Sequence, residues 1–247
     1  MSYRAFAEFY DTFTVDVGYR ERAEYMLSLF ERFDRIPSLL LDVGCGTGNF
    51  TYEFAAKGID VIGVDPSAEM LSIAASKSQL TNAAPLFLQQ SAEDLELYGT
   101  VDGAVACLDC INHILDYEAL VRSFSRIALF LEPERLFIFD ANTVYKHKKV
   151  LSGKKFLYDS GDKLCIWKNS RCSRNNTVKM KLKLSAQNSD GGFCCTDTNA
   201  ERAYTVSQLA DALERAGMKV LAVLGDMSYA PPSPDEERIY VIAERVI

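Results

Sequence analysis

Three glycines and one acid carry the most legible chemistry in this chain. Gly44, Gly46 and Gly48 fall in LDVGCGTGNF, Leu41 to Phe50, where an apolar run ends and a helical pattern begins. Glycine lets the chain turn sharply and lets a ligand approach the backbone. A helix start also offers N–H groups with no partner inside the helix. Asp65, in GVDPSAEM, stands at the tip of the next apolar run. It follows the loop by about 20 residues, the spacing at which an acid can hold ribose hydroxyls. Together these residues read as an adenosine-binding half-site at the carboxyl edge of an open α/β sheet. A dinucleotide fingerprint has the spacing G-x-G-x-x-G. Here the third glycine comes one residue early, at Gly48, and Asn49 holds the expected place.

A second chemical stretch, CLDCINHIL, follows a later apolar run. His113 could act as a general base, since imidazole exchanges protons near neutral pH. Asp109 could orient an amine or accept a proton. Alternatively, Asp109 caps the short helix, and Asn112 and His113 complete hydrogen bonds. Cys107-x-x-Cys110 has the spacing of a redox pair or of half a zinc site. No second C-x-x-C accompanies it, and His147 has no ligand-like spacing. The pair therefore reads as two small, soft residues lining a strand end, and no metal is expected. Tyr145 and Trp167 could wall a substrate pocket or belong to the core.

The elements that must position these groups alternate along the chain. Tyr3 to Phe13 and Tyr19 to Phe33 read as helices, the second with Tyr25, Met26, Leu29, Phe30 and Phe33 on one face. Strands are expected at 38–44, 59–65, 84–90, 101–107 and 135–140, with helices at 49–57, 67–76 and 117–131. Short, continuously apolar strands separated by helices indicate a parallel sheet covered on both faces. After Asp140 the rhythm changes. KLCIWK at 163–168 and TVKMKLKL at 177–184 look extended, and Phe193 to Tyr204 could pair with them. Thr205 and Gln208 form a possible capping box, and Gly217 ends that helix. Strands at 218–224 and 238–244 complete the chain.

G-x-G-x-G with a strand-end acid resembles the class I S-adenosylmethionine-dependent methyltransferases. The likeness covers nearly the whole chain, including VDGAVAC, EPERLFIFD and the late antiparallel pair. YDTFTVDVGY and CLDCINHIL resemble a bacterial small-molecule branch that carries an antiparallel insertion after strand five. The resemblance implies a Rossmann-like, seven-stranded, mostly parallel sheet with helices on both faces, plus that small antiparallel β insertion. It implies S-adenosylmethionine as cofactor and a small-molecule acceptor. Gly44 and Gly46 would pass beside the methionyl and ribose parts, and Asp65 would take the ribose hydroxyls. Pro66 and Met70 would pack near the adenine. Ser91 would accept from the adenine amine, in a place where relatives usually have an acid, and the amide of Ala92 would meet the ring. Cys107 would lie near the methionyl chain, and Tyr10 and Tyr19, in an N-terminal lid, near the amino-acid end. Relatives usually have Pro-Gly-Gly before the fifth strand. Here Pro133 is followed by Glu134 and Arg135, a changed turn with no bearing on chemistry. The alternatives are an RNA-directed methyltransferase, a non-catalytic S-adenosylmethionine-binding module and a nucleotide-dependent oxidoreductase.

The bulk properties bound these readings. The chain has 247 residues, 48% hydrophobic and 25% charged, a normal globular balance. Its net charge of -7 argues against duplex DNA as the partner of the whole molecule. No secretory leader is visible, and the longest apolar runs are too short to span a bilayer. Seven cysteines, an odd number, suit a reducing, cytoplasmic setting. Charge is uneven: residues 141–186 hold 12 Lys or Arg against two acids, a surplus of 10. We therefore expect a cofactor-binding unit over 1–140 and 205–247, and a basic insertion over 141–204 that caps the active site. Lys179, Lys181 and Lys183 alternate with apolar residues and so share one strand face. That face could be solvated surface and protect a sheet edge. It could also attract an anionic substrate or RNA, in that order of preference.

Overall fold

A computed structural model describes residues 4–80, 84–188 and 191–246. The expected first helix begins inside that range, at Arg4; Tyr3 lies outside the described residues. In chain order the elements are α1 (Arg4–Phe13), α2 (Tyr19–Arg32), β1 (Leu39–Val43), α3 (Asn49–Ala55), β2 (Asp60–Asp65) and α4 (Ala68–Ser76). There follow β3 (Leu86–Gln89), β4 (Gly103–Ala106), α5 (Tyr117–Phe130) and β5 (Leu136–Asn142). Then come β6 (Lys155–Asp159), β7 (Lys163–Asn169), β8 (Thr177–Asn188), β9 (Gly191–Arg202), α6 (Val206–Arg215), β10 (Met218–Gly225) and β11 (Arg238–Arg245).

The first sheet has the order β10-β11-β5-β4-β1-β2-β3. It is parallel except for β11, which runs antiparallel to both β5 and β10. The chain order reverses between β1 and β4, and both strands end facing the loops that carry the candidate site. Its strands are buried on both sides, which explains their unbroken apolar runs. Helices α2 and α3 cover one face with Met26, Leu29, Phe30 and Phe54. Helices α5 and α6 cover the other with Leu120, Phe124, Leu209 and Leu213. Side-chain caps fix the helix starts: Ser67 accepts from Met70 N, and Asp116 from Ala119 N. Thr205 and Gln208 close a full capping box on α6. The departure before β5 is a left-handed turn at Glu134, with φ 60°, where a glycine would be unstrained.

The second sheet is antiparallel, in the order β6-β7-β8-β9. Its inner face, with Leu182, Leu184 and Cys165, packs on Phe9 and Phe13 of α1. Two features go beyond the sequence reading: the strand β6 and a single π-turn at Lys146–Leu151. One expectation is corrected. Strand β8 lies between β7 and β9, so its lysines guard no edge.

Candidate active site

The loop after β1 is pinned before any ligand is considered. The amides of Gly44 and Cys45 both donate to Val64 O, at 2.8 and 3.0 Å. Gly44 has φ 71°, and a Cβ there would stand 2.2 Å from Cys110 Sγ, so only glycine fits. Gly46 differs. At φ 55° a Cβ would meet nothing within 4 Å, which leaves its backbone open to an approaching group. Gly48, with φ 78°, leads into α3.

Asp65 ties the tips of β1 and β2 together. Its Oδ2 accepts from Gly46 N at 3.0 Å and its Oδ1 from Ser67 N at 2.8 Å. Burial raises its pKa against those two donors. A carboxylate has about four acceptor positions, so two remain for hydroxyls. Pro66 is exposed beside it, whereas Met70 is only 3% exposed and packs inside. The sequence reading missed a second acid in the loop strand, Asp42. Its Oδ2 accepts from Thr51 Oγ1 at 2.6 Å, and burial pushes it up to about 7.

The N-terminal helix closes over this loop. Asp11 accepts from Thr47 Oγ1 at 2.6 Å and Asn49 Nδ2 at 2.9 Å, and pairs with Lys77 at 2.8 Å. Tyr19 donates to Thr14 at 2.8 Å and meets Phe50 edge-on, with Tyr10 and Asn49 alongside. Tyr10 and Tyr19 are thus together near the loop, and Asp11 between them is a contact the sequence reading did not name.

Beyond β4 the chain takes two left-handed non-glycine residues in succession, Leu108 at φ 50° and Asp109 at φ 54°. Such conformations persist only where surroundings impose them. Here Arg238 of β11 does so. Its Nη2 donates to Asp109 Oδ1 at 2.8 Å and its Nη1 to Asp140 Oδ2 at 2.7 Å, while Asp109 N donates to Asp140 Oδ1 at 2.7 Å. Burial pushes Asp109 up, but Arg238, Lys146 and His113 outweigh it and hold the carboxyl below its ordinary value. Asp109 is thus a paired carboxylate that fixes the turn carrying His113. Its side chain does not cap that turn.

His113 sits at the end of the turn with its side chain 27% exposed, and it acts electrostatically on Asp65. Its Nε2 stands 4.0 Å from Oε1 of Glu201, a buried acid of β9. Asn112 is fully buried and stitches β5 to β9. It donates to Asn142 O and Arg202 O and accepts from Asn142 N. Asn142 in turn donates to Glu201 and accepts from Lys146 Nζ. His147 is wholly buried, with Nδ1 on Asn176 O and Nε2 at 3.5 Å from Glu201. Glu201, Lys146 and Arg238 escaped the sequence reading because no local spacing links them to His113.

The side chains of Cys107, Ser91 and Met70 are each already engaged within the protein. Cys107 is 6% exposed, with its sulfur on Met26 Sδ at 3.4 Å. The Ser91 hydroxyl caps its own short turn, donating to Asp94 Oδ2 and accepting from Asp94 N. Met70 is held in the core. Tyr145 is 36% exposed beside the π-turn, whereas Trp167 packs with Phe156 and Tyr158 as core. All seven cysteines are free. Among the described residues, Asp109, His113 and Glu201 present three donor atoms within 4.8 Å of one another. Arg238 and Lys146 already stand against those carboxylates, so a divalent cation would enter against two fixed positive charges.

Comparison with known proteins bears on this arrangement. Residues 40–134, from β1 through the turn before β5, match a family described as a methyltransferase domain. A provisionally named methyltransferase of Geobacillus sp. is 28% identical over 247 residues, covering 99% of this chain and 100% of that protein. The crystal structure of an S-adenosylmethionine-dependent methyltransferase from Clostridium acetobutylicum superposes with a TM-score of 0.89. It is 26% identical, and the match covers 100% of both chains. The chain is a class I S-adenosylmethionine-dependent methyltransferase. The sugar N-methyltransferase KedS8 from Streptoalloteichus sp. shares the fold, with a TM-score of 0.77 at 19% identity over 96% of this chain and 93% of that one.

S-adenosylmethionine is the cofactor of this methyltransferase, and the loop suits it. The open face of Gly46 and the two spare acceptor positions of Asp65 offer a close backbone approach beside a carboxylate with room for further donors. No helix among the described residues is long and apolar enough to cross a membrane.

Proposed function

We propose that the methyltransferase transfers its methyl group to a small-molecule acceptor by in-line displacement. The bound cofactor supplies a methyl already activated on a sulfonium. The protein's tasks are therefore to place the nucleophile and exclude water. In this reading Gly44 and Gly46 line the cofactor's path, Asp65 takes the ribose hydroxyls, and Pro66 and the Ala92 amide border the adenine. Tyr10 and Tyr19 enclose the amino-acid end. Cys107 contributes backbone alone.

The observation that carries the acceptor's location is the placement of His113. It is a partly exposed imidazole within electrostatic reach of Asp65, on a turn held by the Asp109–Arg238–Asp140 ion triad. His113 takes the proton of an acceptor that still holds one. The second sheet, residues 141–204, caps this edge, with Glu201 reaching beneath it. A sugar N-methyltransferase built on the same two-sheet plan supports an acceptor of small size. Seven free cysteines support a reducing, cytoplasmic setting.

A screen of amines, hydroxylated aromatics and RNA for S-adenosylhomocysteine formation tests the reading. Turnover confined to small acceptors is expected, and turnover of RNA alone would overturn it. His113→Gln should lower kcat by about 10²-fold or more, the range of general base catalysis, with unchanged cofactor affinity. An unchanged kcat removes His113 from proton transfer.

A further inference from the structure

The second sheet buries one face and leaves the other open. Val178, Met180, Leu182 and Leu184 point inward, while Lys155, Lys168, Lys179, Lys181 and Lys183 are exposed on the outer face. The register sets Lys155 opposite Lys168, and Lys168 opposite Lys181. Three ammonium groups therefore stand in one row, spaced at roughly the 5 Å separation of adjacent strands. Like charges directly opposite each other destabilise a sheet. Strands β7 and β8 are interior, so edge protection does not account for the arrangement. None of the five lysines forms an ion pair among the described residues. The row therefore keeps its charge available for something outside the chain.

The next row supplies Leu157, 66% exposed, and Ile166, 39% exposed, beside Lys183. Phe156, Tyr158 and Trp167 all pack on the inner side, so among the described residues the outer face offers no aromatic platform on which bases could stack. A groove of about 550 Å³ opens on this face between Lys168, Lys179, Lys181, Ser170, Thr198 and Leu115. Residues 141–186 carry the surplus of 10 positive charges within a chain of net charge -7. An anionic surface therefore meets attraction at this sheet and repulsion from the rest of the molecule.

We propose that this outer face docks on an anionic lipid bilayer. Leu157 and Ile166 enter the boundary between headgroups and acyl chains, and the lysines reach the phosphates, with one headgroup seated in the groove. The docking is peripheral and requires no spanning segment. It is independent of which acceptor the enzyme uses.

The test is flotation of the full chain with vesicles of phosphatidylcholine alone, or of phosphatidylcholine and phosphatidylglycerol in equal parts. Binding to the anionic vesicles alone, weakened by salt, is expected. Each lysine near such a surface contributes about a fivefold gain in partitioning. The triple variant K168Q/K179Q/K181Q should therefore bind about 100-fold more weakly, with cofactor affinity unchanged. Lys219→Gln, an exposed lysine of β10, should leave binding as it was, and Leu157→Ser should weaken it. Absence of anionic-vesicle binding, equal binding to both vesicle types, or full binding by the triple variant would overturn the proposal. Binding of polyuridylate without binding of vesicles would also overturn it and identify the face as an RNA surface.

Discussion

Asp11 and Thr47 join the first helix to the glycine loop. The Thr47 hydroxyl is 2.6 Å from Asp11 Oδ1, and the same carboxylate pairs with Lys77. A residue of α1 thus holds the glycine loop. Burial pushes Asp11 up, but Lys77, Thr47 and Asn49 outweigh it and hold the carboxyl below its ordinary value. Asp11→Ala should loosen the lid and weaken S-adenosylhomocysteine binding by about 1.5–3 kcal/mol, the range for hydrogen bonds to a charged group. Calorimetry checks it, and unchanged affinity would mean that α1 does not report on the site. Because the folded-state pKa is lowered, this contribution to stability is present above the unfolded value and is lost as pH falls through the folded one.

Gly46→Asn probes the open side of the loop. Asparagine tolerates the left-handed conformation better than other side chains, and apart from its chain neighbours no described residue comes within 4 Å of the new Cβ. The fold should persist, while cofactor affinity falls by more than about tenfold through occlusion of the backbone approach. Calorimetry on a folded variant with wild-type affinity would remove Gly46 from the cofactor path.

Asp65→Ala should weaken cofactor binding by about 1.5–3 kcal/mol. Thermal unfolding should also shift down slightly, because the carboxylate accepts from Gly46 and Ser67 in the absence of ligand. A stability loss with full affinity would make Asp65 a structural tie alone.

Asp42 predicts a pH dependence of opposite sign to that of Asp11. Its folded value of about 7 exceeds the ordinary 3.8, chiefly through burial. Between those values the folded state binds more protons than the unfolded state. Stability therefore falls as pH rises through this window and levels off above it. Asp42→Asn keeps an acceptor for Thr51 and removes the charge. It should flatten the decline and stabilise the protein at mildly alkaline pH, with a ceiling on the order of 4 kcal/mol. Urea unfolding at acidic and alkaline pH checks it; an identical slope in both proteins would count against it.

Arg238→Met should cost about 3–5 kcal/mol, because Asp109 and Asp140 would stay buried without their partner. Arg238→Lys should recover only part of this, since one ammonium cannot reproduce the fork on two carboxylates. Urea midpoints distinguish the three proteins, and an Arg238→Met variant as stable as the parent would show that the triad is not holding the turn.

The sheet was legible in the sequence because buried parallel strands are continuous apolar runs, as in Leu39–Val43 and Leu136–Asn142. The glycine loop was legible because backbone conformation restricts residue type, as the contact between a Cβ at Gly44 and Cys110 makes plain. Strand β6 was not, since its five residues alternate too briefly to signal a period. The Arg238–Asp109 pair spans 129 residues, and only the placement of β11 beside β5 brings it together. Cys107 and Ser91 show a different limit. Resemblance fixes where a residue falls along a strand, but packing with Met26 and capping by Ser91 decide where the side chain points. Nothing in the types of Leu108 and Asp109 announces two left-handed residues in a row.

Phe9 and Asp11 lie two residues apart on α1, hence about 200° apart around its axis. Phe9 is wedged into the second sheet, and Asp11 is bonded to the glycine loop of the first. The helix is thus a shared hinge pin rather than a flap on one side. A ligand that tightens the loop restrains the helix, and the helix restrains the hairpin beyond it. Amide hydrogen exchange in Thr177–Asn188 should slow on cofactor addition, although no residue of that strand is placed in contact with the cofactor.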